Sequence, residues 1–116
     1  MGFWKKFETD DPRVAQEVEK LLLPGEQIEA LYALITDYAA ITNQRVLFVE
    51  KEFHSSEQVI SSITFRCISS VSLQKGGFMK FAKTVYVQAG GGRHSVSFMS
   101  GENAHAFYCA LMQKMV

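Results

Sequence analysis

A chain of 116 residues, 47% hydrophobic and 12% aromatic, has the size and composition of one domain with a buried core. Its 12 basic and 12 acidic side chains cancel to a formal net charge of zero, which excludes a chain-wide field that would draw in nucleic acid or anionic membrane. Two widely separated cysteines, Cys67 and Cys109, make no CxxC motif and read as reduced, mostly buried thiols of a cytoplasmic protein.

No apolar run has the length of a membrane span. The N-terminus lacks the apolar core of a secretory signal. Gly2 does not satisfy the myristoylation pattern, because position 6 is Lys6. Residues 1–10 form an aromatic and basic arm, in which Phe3, Trp4 and Phe7 surround Lys5 and Lys6. Three readings of the arm stand, disorder being one. The rings pack on the domain or on a neighbouring subunit, or they sit in a headgroup zone with the ammonium groups in water. A membrane contact of so few residues is weak, and it would place the protein peripherally on the inner face.

Residues 11–116 read as a single domain. Asp11 suits a helix cap and Pro12 the first helical position, and Val14, Val18, Leu21 and Leu22 then share one face until Pro24-Gly25. The predicted helix over 12–22 is too short to stand alone and must pack on something. Val14, Val18 and Leu21 are therefore interface candidates, whether on their own domain or on a neighbour.

From about 27 to 99 the chain reads as seven strands. The first, over 28–35, is apolar on both faces, as in a strand covered on both sides. Strands over 38–42 and 45–51 follow, joined by Asn43-Gln44, and a polar loop around His54 precedes strands over 59–65 and 68–73. Residues 74–83 mix Phe78, Met79 and Phe81 with Lys75, Lys80 and Lys83, which reads either as a contact surface or, where Phe81 begins the sixth strand, as core. Gly90-Gly91-Gly92 reads as a hairpin turn between strands over 84–89 and 94–99. Ser100 caps a helix over 102–115, in which Ala104, Phe107, Tyr108, Leu111, Met112 and Met115 recur every three or four residues.

Strands closed by one C-terminal amphipathic helix make a mainly β (α+β) architecture. The runs Leu22-Leu23-Pro24-Gly25-Glu26 and Thr42-Asn43-Gln44-Arg45, with Ser62-Ile63-Thr64-Phe65 and Ile68 after them, resemble the bacterial pleckstrin-homology (PH)-like family. The resemblance covers residues 14–116. It implies a seven-stranded antiparallel, partly open barrel capped by the C-terminal helix, here with an extra N-terminal helix. It also implies ring-like assemblies.

Gly25 supplies backbone freedom where helix gives way to strand, and Asn43 suits a left-handed turn position. Arg45 is expected to bond nearby carbonyls or Asp37. Many PH domains hold phosphoinositides through basic residues around the loop joining their first two strands. In this chain that loop, Ile35-Thr36-Asp37-Tyr38, carries an acid and no cation, so phosphoinositide binding is not expected.

No catalytic set stands out. His54, His94 and His105 lack metal-ligand spacing, no serine occupies a G-x-S-x-G elbow, and Gly90-Gly91-Gly92-Arg93 lacks the ending of a phosphate loop. The sequence therefore predicts a non-enzymatic domain with no cofactor or metal. It is expected to self-associate as a homo-oligomer and to scaffold another protein, with candidate contacts at Val14, Val18, Leu21, Phe78, Met79 and the strand edges. The alternative is a peripheral membrane or lipid module using Phe3 to Phe7.

Overall fold

The computed structural model describes residues 12–51, 56–74 and 83–116. Seven strands form two antiparallel sheets. One holds β1 (Ile28–Ala33), β2 (Asp37–Thr42), β3 (Arg45–Lys51) and β4 (Gln58–Thr64) in sequential order. The other holds β5 (Ile68–Leu73), β6 (Lys83–Ala89) and β7 (Gly92–Phe98). Helix α1 (Pro12–Glu19) precedes them and helix α2 (Gly101–Met115) follows. A single turn of 3-10 helix, Phe65–Cys67, carries the chain from β4 into β5. The sheets meet at one corner, where Leu34 bridges Phe98 and the Ile35 amide donates to the Ser97 carbonyl at 3.0 Å. They are not closed into a barrel.

The β6–β7 and β2–β3 hairpin turns use different chemistry. Gly90 and Gly91 have φ of +58° and +82°, the paired left-handed conformation that a two-residue turn between twisted strands requires. The turn after Thr42 needs no such residue. No described non-glycine residue has positive φ, so Asn43 does not adopt the left-handed conformation expected of it. Instead the Thr42 hydroxyl accepts the amides of Gln44 and Arg45, each at 3.0 Å.

The main core fills the space between the sheets and α2. Tyr32, Phe48, Phe98 and Phe107 are almost entirely buried there. Phe107 touches the other three rings, with centroids 5.3 Å from Tyr32, 5.9 Å from Phe48 and 5.0 Å from Phe98. Helix α2 buries Ala104, Phe107 and Leu111, while Tyr108, Met112 and Met115 flank that stripe half-exposed. Its cap is the one expected, with the Ser100 hydroxyl accepting the Asn103 amide at 3.1 Å. Ser100→Ala should lower the unfolding free energy by about 1 kcal/mol in urea denaturation, with α2 otherwise unchanged.

A second core lies on the outer face of the four-stranded sheet. Ile28, Leu31, Tyr38, Ala40, Leu47 and Val49 cluster there with Val18, and Val14, Ala15 and Leu22 pack around them. This face explains why β1 is apolar on both sides. The Tyr38 hydroxyl donates to Glu17 at 3.1 Å, and burial together with Glu17 pushes that phenol above its usual range. Helix α1 therefore packs on its own domain. Val18 is wholly buried, which makes it a core residue rather than an interface residue.

Several expected boundaries move. Helix α1 ends at Glu19, and the next residues turn more tightly, with the Leu21 amide bonded to the Val18 carbonyl. Strand β1 stops at Ala33, because Leu34 is drawn into the bridge to β7. Cys67 and Cys109 are free and exposed, not buried. Cys109 follows Phe107 by two residues, and that spacing on a helix places it away from the buried stripe.

Candidate functional site

The residues that carry the family resemblance converge on one polar lock. Gly25, with φ of +81°, turns the chain so that Glu26 points inward. The Glu26 side chain has no exposed surface and Arg45 retains 14%. Arg45 meets it as a fork, Nε to Oε2 at 2.8 Å and Nη2 to Oε1 at 3.0 Å. The Thr42 hydroxyl donates to Oε2 at 2.6 Å and the Leu23 amide to Oε1 at 2.8 Å. Arg45 also donates to the Leu21 carbonyl and the Ser62 hydroxyl, each at 2.8 Å. Asn43 completes the clasp, accepting the Gln27 amide at 2.8 Å and donating to the Gly25 carbonyl at 3.2 Å.

Burial alone would push the Glu26 carboxyl up. The hydrogen bonds from Arg45, Thr42 and the Leu23 amide, with the guanidinium charge, outweigh burial and hold it at about 2. The lock joins the α1–β1 linker, the β2–β3 hairpin and β4. Arg45 thus has a structural role, and its partner is Glu26 rather than Asp37. Asp37 instead accepts from the Gln58 amide at 2.8 Å.

Two surfaces remain open beside the lock. A groove of about 950 Å³ lies between Gln44 and Arg45 of the hairpin, the Thr64–Arg66 crossover and the last turn of α2. A smaller one, of about 430 Å³, opens between the end of β4 and the β6–β7 hairpin. Strand β4 itself is exposed along most of its length, with Val59 and Ile60 at 46% and 47%. The sequence reading gave these two residues no special status, because an apolar strand residue carries no mark of whether anything covers it.

His94 faces inward and stacks on Phe48 at 4.5 Å. Its Nε2 lies 3.3 Å from Glu50 Oε1 without hydrogen-bond alignment. His105 is exposed, with Nε2 3.6 Å from the Cys109 sulfur. His54 lies outside the described residues, as do Phe78, Met79 and the arm residues Phe3, Trp4, Lys5, Lys6 and Phe7. Val14 is half-buried against the outer core, and Leu21 is half-buried. Among the described residues, no group of three or more His, Cys, Asp or Glu could hold a metal ion, and no helix is long and apolar enough to cross a membrane.

Two antiparallel sheets of four and three strands, meeting at a corner and plugged by a C-terminal helix, define a PH-like domain. The chain belongs to the bacterial PH domain family, whose model matches residues 1–115. It is similar to two Bacillus subtilis (strain 168) proteins, the uncharacterized proteins YozO and YjqA. YozO is 33% identical over 63 residues, covering 54% of this chain and 55% of that protein. YjqA is 31% identical over 65 residues, covering 55% and 52%. The chain spans about half the length of these curated relatives.

The fold is shared with a pleckstrin homology domain from Shewanella amazonensis SB2B, at a TM-score of 0.75 and 15% identity over 91% of this chain and 98% of that one. It is shared also with a DUF1696 family protein bearing a PH domain from Shewanella loihica PV-4, at 0.73 and 15% over 94% and 100%. Such identities speak to fold alone.

Proposed function

We propose that this chain is a non-enzymatic interaction domain that assembles with copies of itself through the free edges of its sheets and serves as a protein-binding scaffold. The family and fold support an interaction domain at that coarse level. The observation that carries the finer reading is β4. It is one of the two outer strands of its sheet, it is largely exposed, and its sequence Gln-Val-Ile-Ser-Ser-Ile-Thr contains no charge and no proline. Edge strands of proteins that stay monomeric are blunted by lysines, prolines or bulges, because an open edge templates strand addition. Strand β4 has none of these and displays Val59 and Ile60.

Strand β5 is an outer strand of the second sheet and is likewise free of charge, with an irregular register to β6 confined to its start, between Ile68 and Ser70. Pairing β4 of one copy with β5 of the next is a head-to-tail contact, which closes into a ring if the rotation allows. Val18 is buried in its own domain, so this reading rests on the strand edges rather than on Val18.

Light scattering after size exclusion tests the reading. The full chain is expected to run as a discrete oligomer, and Val59→Lys with Ile60→Lys is expected to reduce it to the monomer mass with an unchanged circular dichroism spectrum. A wild-type monomer throughout the micromolar range, or an oligomer indifferent to the two lysines, refutes assembly through β4.

A further inference from the structure

The groove of about 950 Å³ beside the lock is a separate surface with its own charge. Three cations, Arg45, Arg66 and Lys114, border it and no carboxylate lines it. Arg45 and Lys114 are paired with carboxylates outside the groove, so the surplus positive charge over the apolar floor of Leu23, Phe65, Ile68 and Met115 is that of Arg66.

The three cations differ in what holds them. Arg45 is fully engaged by Glu26, the Leu21 carbonyl and Ser62, so it shapes the wall. Lys114 pairs with Glu29 and lies 5.8 Å from the centre of the Phe65 ring. Lys114 and Glu29 both keep solvent contact, at 28% and 40% exposure, and a pair of that kind exchanges partners at little cost. Arg66 is exposed and has no ion-pair partner among the described residues. Leu23, half-exposed at 52%, presents an uncovered apolar side chain at the rim.

We infer that this groove docks a short acidic peptide segment of a partner protein, whose carboxylates meet Arg66 and Lys114 while an apolar side chain enters between Leu23, Phe65 and Met115. Charge complementarity favours a peptide over a polyphosphate headgroup. Two exchangeable cations match two carboxylates, whereas a headgroup with several phosphates needs a denser cluster, and its sugar ring gains nothing from an apolar floor. The volume lies within the range of ligand-binding clefts. The groove shares Thr64 and Ile68 with the ends of β4 and β5, but Arg66 and Lys114 belong to neither strand, so substitutions at Arg66 test the groove while Val59 and Ile60 stay intact.

The test is fluorescence anisotropy of the full chain with a dye-labelled decapeptide of alternating Glu and Leu, against the same peptide with Lys in place of Glu. Saturable binding of the acidic peptide alone is expected, weakening as salt is raised. Arg66→Glu should weaken it about tenfold or more, because a favourable contact becomes a repulsive one, whereas Arg66→Lys should retain most of it. Both variants change an exposed residue outside the core, and their circular dichroism should match wild type. Absent binding at millimolar peptide, equal binding of the basic peptide, or indifference to Arg66→Glu overturns the inference. So does flotation with vesicles containing phosphatidylinositol bisphosphate that Arg66→Glu abolishes while the peptide fails to bind, an outcome that assigns the groove to lipid.

Discussion

Arg45→Met is expected to lower the unfolding free energy by about 3–5 kcal/mol, the usual cost of leaving a buried carboxylate without its partner. Glu26 has no solvent contact with which to replace the guanidinium. The substitution removes all four Arg45 donor contacts and leaves the Leu21 carbonyl and the Ser62 hydroxyl without them. For a domain of ordinary stability that loss is a large share of the whole. Arg45→Lys keeps the charge and loses the fork, and should cost about 2 kcal/mol, the scale of hydrogen bonds to a charged group. Urea denaturation followed by circular dichroism separates the two. A loss below 1 kcal/mol in Arg45→Met would mean that the lock does not hold the domain together.

The same lock sets an acid limit. The Glu26 carboxyl is held at about 2 in the folded chain, against 4.5 unperturbed. Because the folded value is depressed, the unfolded state takes up the proton first as pH falls. The stabilisation from Glu26 is complete above about 4.5 and is lost progressively as pH drops toward about 2. Denaturation midpoints measured from pH 6 to pH 2.5 should fall across that window, and in Glu26→Gln this part of the decline should be absent. An identical acid profile in wild type and Glu26→Gln would remove Glu26 as its origin.

Phe107→Ala is the second large effect, at about 3–5 kcal/mol. Phe107 is wholly buried and sits among Tyr32, Phe48 and Phe98, which belong to both sheets. Truncation leaves a cavity whose walls are rings on three strands, and these cannot collapse together without shifting a sheet. Phe107→Leu, which retains most of the volume, should lose clearly less. Equal losses in the two variants would mean that α2 is not packed through this ring.

Local chemistry made most of the elements legible. Period-2 alternation marked seven strands, three-and-four spacing marked α2, Ser100 marked its cap, and two glycines marked the β6–β7 turn, because each of these signals acts within a few residues. The motif around Glu26 and Arg45 was visible as well, but not its function. These two residues lie 19 positions apart, and only the convergence of the α1–β1 linker with the hairpin selects Glu26 over the nearer Asp37. Asn43 was read as a left-handed turn residue, whereas the Thr42 hydroxyl, itself donating to Glu26, caps that turn instead.

By itself, then, the sequence determined which segments become strands and helices and their order, but not which polar residues would be held together. The tertiary structure decided what covers each apolar face. Val18 and Ile60 look alike in a hydrophobic pattern, yet α1 buries the first on its own sheet while the edge position of β4 leaves the second open. The exposure of both cysteines and the cation-lined groove beside Arg66 have the same origin. Periodicity fixes which residues share a face, whereas burial depends on neighbours that are distant in the chain.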